Sequence, residues 1–264
     1  MCILFFAIES HPQYPLIVCA NRDEFHHRAT QPAQFWPPDQ NILAGKDLQA
    51  GGTWLGVNQA GQFAGLTNLR TQNLQDGVRS RGELVINALA SPLSVTNHLP
   101  ITSQWLQEHS HNYNPFNLIF EHEHILHCFN SRSAATKKLT QGFHAVCNGD
   151  MDDVWPKMAL GQQALQSYIA QTDNISINEL QRFMQDTTQA TDNLLPNTGL
   201  DLEWERHLSS IFIQHPQYGT RSTTIILKDT HGHIDFYETR FDSKGRNLGQ
   251  QHFQIESNHP NKMR

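Results

Sequence analysis

The chain has 264 residues, of which 38% are apolar and 17% charged, and a formal net charge of −6 at pH 7. That length allows one domain with a sizeable core, and the apolar content excludes a disordered chain. An acidic balance with scattered basic residues gives no overall attraction to phosphate backbones, so nucleic acid is not expected as a partner.

The chain opens on Met1-Cys2-Ile3-Leu4-Phe5-Phe6-Ala7-Ile8 and reaches Glu9, without a basic flank, too soon for a secretory leader or a membrane span. Residues 2–8 are therefore expected to be a buried strand of a cytoplasmic protein with no integral membrane segment. A second strand is expected over 16–20, then a hairpin of 53–57 and 62–67 joined by Asn58-Gln59-Ala60-Gly61. Residues 79–90 carry Leu84, Val85, Ala88 and Leu89 at helical spacing, with Pro92 as the stop.

Strands follow over 117–121, 124–129 and 144–147, then a helix over 155–170 and shorter helices over 177–185 and 202–213. The end returns to strands at 223–228, 233–241 and 250–255, with Asp229-Thr230-His231-Gly232 as a turn. Strands grouped at both ends, with helices between, predict an α+β fold with layered, largely antiparallel sheets. No linker divides it, so one domain is expected over 1–256, with a polar tail over 257–264.

Cys2, Cys19, Cys128 and Cys147 show neither a C-x-x-C pair nor dense spacing, so no zinc site or disulfide framework is expected. The last three sit in apolar runs and read as inert buried thiols. Cys2 differs, because a small residue after the initiator Met permits removal of that Met. Its thiol and a free α-amine would then share one carbon, a nucleophile of pKa about 8.5 beside a base of about 7.7–8.0. Such a pair suits amide or ester cleavage; the bland alternative is the first residue of a buried strand.

Polar groups cluster where strands end. Asn21-Arg22-Asp23-Glu24 directly follows an apolar run, where an Arg and a carboxylate can orient an ammonium or a thiolate. A surface turn with an internal ion pair is the other reading. The segments 65–70, 146–150 and 218–223 present Asn and Arg in the same way, although each read singly is a turn. Strand alternation places His122 and His124 on one face and His127 on the other, so no convergent metal site is expected. His26-His27 and His231-Gly232-His233 read as solvated.

Taken together, Met1-Cys2-Ile3, Asn21-Arg22-Asp23-Glu24-Phe25, Ala50-Gly51-Gly52-Thr53-Trp54-Leu55-Gly56, the block 79–84 and Gly219-Thr220-Arg221 resemble, in the same order, the NRDE family, also called the transport and Golgi organisation protein 2 family. The resemblance runs from residue 1 to about residue 241. It implies kinship with the cysteine N-terminal-nucleophile hydrolases and a four-layer αββα sandwich. Carried over by position, it implies Cys2 as nucleophile, Arg22 and Asp23 as its contacts, Asn148 as an oxyanion donor and Arg221 as a late active-site Arg. Asn21, Thr67, Asn68 and Trp54 are the candidate ligand-binding or oxyanion residues. Thr67 stands where the acylase relatives of this group carry Asn, and a one-residue offset in a strand turns the neighbouring Asn68 to the opposite face.

The function implied is twofold. Haem handling is placed first: reversibly bound haem in a pocket centred on Cys2, since no C-x-x-C-H attachment sequence occurs. The alternative is a hydrolase of acyl amides or acyl thioesters, which needs no cofactor. Either ligand is small and hydrophobic, and Phe35, Trp36, Trp54 and Trp155 are expected to line its pocket or to be core.

Overall fold

The computed structural model describes residues 2–37, 41–71, 74–90 and 101–256, so Met1, Pro92 and the tail lie outside the described residues. In chain order the elements are β1 (Cys2–Ile8), β2 (Leu16–Phe25), β3 (Thr30–Phe35), β4 (Ile42–Asp47), β5 (Leu55–Asn58), β6 (Phe63–Asn68), α1 (Gly82–Leu89) and α2 (Ser103–His109). They continue with β7 (Phe116–His122), β8 (Ile125–Asn130), β9 (Ala135–Lys138), β10 (Gly142–Val146), α3 (Pro156–Ile169), α4 (Ile177–Met184), α5 (Leu202–His207), β11 (Tyr218–Lys228), β12 (Ile234–Phe241) and β13 (Asn247–Ile255).

Two sheets result, one in the order β10-β1-β2-β11-β12-β13 and the other β3-β4-β5-β6-β7-β8-β9, with antiparallel neighbours throughout. Alternation along β1 explains the layering. Cys2, Leu4 and Phe6 enter the layer between the sheets, while Ile3, Phe5 and Ala7 face Met158 and Leu165 of α3 and Leu180 of α4. Burying Phe5 and Phe6 contributes about 1.5–3 kcal/mol each. Gly161 lets α3 rest on Phe5, since a Cβ there would stand 2.1 Å from the ring. On the second sheet, Ala64 and Leu66 pack outward against Leu84, Val85 and Leu89 of α1 and Leu106 of α2. The order helix, sheet, sheet, helix is the αββα sandwich that the resemblance implies.

Differences from the sequence-based expectations have local causes. β2 runs on to Phe25 through Asn21-Arg22-Asp23-Glu24 because β11 pairs with it as far as Phe25 and β1 as far as Arg22, so this cluster is strand and not a surface turn. β3 and β9 were not expected: they are edge strands, one holding Pro32 and the other reading Ala-Thr-Lys-Lys, and neither shows an apolar alternation. β4 and α2, equally unexpected, are too short for their spacing to stand out. α5 stops at His207, well before 213, because the buried stretch 208–213 leaves helical geometry, with Ser210 Oγ donating to Phe212 O at 2.8 Å.

The face assignment of the histidines also changes. Glu123 and His124 take φ of 52° and 62° in the β7–β8 turn, which breaks the strand parity. His122 and His127 are therefore neighbours across the hairpin, ring centroids 6.2 Å apart.

Candidate functional site

β1 begins at Cys2, directly opposite Arg22 in the register, so both side chains share the inter-sheet face at the sheet's end. They open into a cavity of about 340 Å³ that also takes in Asp23, Trp54 and Asn68. Arg22 is held by stacking, its guanidinium carbon 4.3 Å above the Trp54 ring, and Glu24 lies 3.9 Å away. Trp54 has room because residue 45 is glycine, where a Cβ would meet the indole at 2.4 Å.

Asp23 points to the other face of β2, yet reaches the same cavity at the strand's end. Thr220 Oγ1 donates to its Oδ1 at 2.7 Å, and the Tyr218 hydroxyl donates to its backbone carbonyl at 2.9 Å. Burial pushes the Asp23 carboxyl up, against the pull of Lys157, the Thr220 hydrogen bond and Arg22. Burial likewise raises the Cys2 thiol; the Asp23 charge adds to this and Arg22 opposes it. The thiol therefore needs a neighbouring base to become a nucleophile at neutral pH.

Four sequence-expected residues lie elsewhere. Asn21 faces the helices: its Nδ2 donates to Met184 O at 2.8 Å and Ile211 O at 2.9 Å, and its Oδ1 accepts from Thr223. Thr67 is fully buried and donates to Cys147 O at 2.5 Å, which ties β6 to the end of β10. Asn148 donates its amide to Asn68 O at 2.8 Å and lines a second cavity of about 630 Å³ with Arg70 and Trp155. Arg221 sits at the bulge of β11, its Nη1 bonded to Phe25 O and His26 O at 3.0 Å, so it clasps the end of β2 and does not line the Cys2 cavity. The one-residue offset at Thr67 thus puts Asn68 on the cavity wall, with Asn148 behind it.

Sequence reasoning missed Arg81, Arg28 and Asp47 on the cavity wall, and Thr220 and Lys157 behind Asp23. Lys157 is 2% exposed, and nothing in Trp155-Pro156-Lys157-Met158 signals a buried lysine. Arg81 lies within the 79–84 block that carries the family resemblance, in a stretch whose spacing by itself predicts only helix. Phe35 and Trp36 pack at the margins of the two apolar cores and do not line this cavity. Asp229, His231 and His233 gather one possible ligand atom each within 4.8 Å on the β11–β12 turn, also away from its lining.

The family model described as Transport and Golgi organisation 2 matches residues 1–243. The chain is 30% identical over 258 residues to the Transport and Golgi organization 2 homolog of Mus musculus and 31% identical to that of Homo sapiens, covering 90% of this chain and 92% of each relative. A mutant conjugated bile acid hydrolase from Clostridium perfringens is similar in structure with a TM-score of 0.44 and 10% identity, over 99% of this chain and 94% of that one. No helix among the described residues is long and apolar enough to cross a membrane. On the match along almost its whole length, the chain belongs to the Transport and Golgi organisation 2 family.

Proposed function

We propose that the chain is a cysteine N-terminal-nucleophile hydrolase of acyl amides or acyl thioesters, active once Met1 is removed. The observation that carries this reading is the β1–β2 register, which sets Cys2 opposite Arg22 at a cavity that Asp23 also lines. Cys2 Sγ attacks the acyl carbon while its own α-amine takes the thiol proton, a role its pKa of about 7.7–8.0 fits. The C–N or C–S bond then breaks as the leaving group accepts that proton, leaving an acyl thioester on Cys2. Water cleaves that thioester and restores the thiol. Arg22 stabilises negative charge beside sulfur, Asp23 orients the ammonium, and Asn68 is the amide on the wall for the oxyanion.

The lining favours this reading over haem. Ala50, Trp54, Leu66 and Val78 are its larger apolar contributors among many charged groups, and among the described residues no His, Met or Tyr lines it. Haem ligation would rest on Cys2 alone, a thiol whose burial opposes the thiolate that iron needs.

Turnover of a panel of acyl amides and acyl thioesters is expected to fall at least about 1,000-fold in Cys2→Ala. Equal turnover by the variant would reject the nucleophile. Ferric haem titrated into micromolar protein is expected to give no saturable Soret shift; a shift lost in Cys2→Ala would favour the carrier.

A further inference from the structure

The arginines around Cys2 are not equally matched. Arg28 Nη2 lies 2.6 Å from Asp47 and its Nε 3.8 Å from Glu24, while Arg79 Nε pairs with Glu83 at 2.6 Å. Arg22 has only Glu24, at 3.9 Å, and although its side chain is 5% exposed its Nη1 finds no hydrogen-bond acceptor among the described residues. Among the described residues no carboxylate comes within 4 Å of Arg81, whose Nη1 donates to Pro115 O at 3.1 Å. Of the other acids on the wall, Asp47 is engaged by Arg28, Asp23 is bonded by Thr220, and Asp76 is exposed.

The four arginines on the wall are matched in number by Asp23, Glu24, Asp47 and Asp76, so what sets Arg81 apart is its position, to which the backbone adds. Arg81 immediately precedes α1, and Gly82, the first residue of that helix, is on the cavity wall. Two glycines permit this approach: a Cβ on Gly52 would stand 2.6 Å from the Gly82 carbonyl carbon, and one on Gly82 would stand 3.1 Å from Thr53 N. At the amino end of α1, Glu83 N already donates to Ser80 O at 3.2 Å and Leu84 N to Arg81 O at 3.0 Å, so what the helix offers there is the positive end of its dipole, with Glu83 in its first turn. A buried unpaired donor, a guanidinium without a carboxylate and a helix amino end thus meet beside a nucleophile candidate.

We propose that Arg81 is a specificity-determining residue that receives an anionic oxygen group of the acyl substrate, a carboxylate or a phosphate, with Arg22 and the amino end of α1 on the same cavity wall. The word substrate rests on the hydrolase reading, but the charge preference does not require turnover. Both groups accept the two N–H donors that a guanidinium face presents, and neither a neutral amide nor an alkyl chain would compensate its charge.

The test uses two alkylating probes of nearly equal size, iodoacetate and iodoacetamide, on the purified full chain, with modification of the Cys2 peptide followed by mass. In both reactions sulfur displaces iodide, the S–C bond replaces the C–I bond and the thiol proton passes to buffer. The iodoacetate-to-iodoacetamide rate ratio is expected to exceed that of glutathione about tenfold, to fall about tenfold in Arg81→Gln, and to recover in Arg81→Lys. Far-UV circular dichroism checks the fold; should Arg81→Gln fail to fold, protection of the wild-type chain from iodoacetamide by acetate or by inorganic phosphate decides. Protection by acetate identifies a carboxylate site and protection by phosphate a phosphate site. A ratio at or below that of glutathione, a ratio unchanged in folded Arg81→Gln, protection by neither anion, or failure of both reagents to reach Cys2 would overturn the proposal. Charge preference without acyl turnover would fail the hydrolase and keep the anion site, and turnover without charge preference would do the reverse.

Discussion

Two arginines in this chain are buried to the same degree against a tryptophan, and they differ in what their charge meets. Arg22 and Arg70 each have a side chain 5% exposed, with guanidinium carbons 4.3 Å above Trp54 and 5.0 Å above Trp155. Each leaves one nitrogen without a hydrogen-bond partner among the described residues. Arg70, at the second cavity, makes a 2.6 Å ion pair with the equally buried Glu205, whose other oxygen accepts from the Thr198 hydroxyl. Arg22 has only a carboxylate at 3.9 Å and an open cavity before it. Burial alone therefore does not separate the two arginines; a close buried counter-ion, present at Arg70 and absent at Arg22 among the described residues, does.

The largest effect is expected where that counter-ion is removed. Glu205→Ala leaves the Arg70 charge uncompensated and is expected to destabilise the fold by about 3–5 kcal/mol in urea denaturation. A loss below about 1 kcal/mol would break the comparison, because Arg70 would then have another outlet for its charge. Gly52→Ala pushes a methyl into the Gly82 backbone, expected to cost about 1–3 kcal/mol and to erase the anion preference at Cys2. Retained preference would detach α1 from the site. Arg22→Gln is expected to cost no more than about 1–2 kcal/mol of stability while turnover falls at least about 100-fold, the reverse of the Arg70 pattern. Intact turnover would place Arg22 with Arg70.

The smallest effect concerns the turn that carries Asn148. Asp152 accepts from His144 Nδ1 at 2.8 Å and from Ala145 N at 2.8 Å, and the first of these bonds holds the imidazole above its usual range although partial burial opposes it. A raised folded-state value means that the protonated form is the one stabilised. Its contribution is full below the ordinary histidine range and is lost as pH rises through the raised value. Less than about 1 kcal/mol is expected, read as a pH-dependent difference between wild type and Asp152→Asn. A difference that grows toward high pH would contradict the sign.

Much of the layering was legible in the sequence, because β1, residues 16–20 of β2 and residues 225–227 of β11 are apolar over both faces and the helix of 155–170 shows itself by spacing. Edge strands β3 and β9 were not legible, since one exposed face and few apolar residues leave no pattern. For the site, Cys2, Arg22, Asp23, Trp54 and Asn68 were named from the sequence and line one cavity. Asn21, Thr67, Asn148 and Arg221 were named with them and are engaged by backbone carbonyls elsewhere. Residues such as Asn and Arg at strand ends can cap backbone as readily as bind a ligand, and only the register and the bulge at Thr220/Ser222 separate the two uses. The place of Arg81 on the cavity wall is not legible in the sequence, because it depends on two glycines, Gly52 and Gly82, that lie thirty positions apart and meet only in the fold.

The most direct test of Cys2 as the nucleophile is the intact mass of the purified chain before and after incubation with an acyl thioester. A chain without Met1 that gains one acyl group, mapped to Cys2 and absent in Cys2→Ala, is the predicted result. A chain that keeps Met1, or one acylated equally well after Cys2→Ala, would contradict it.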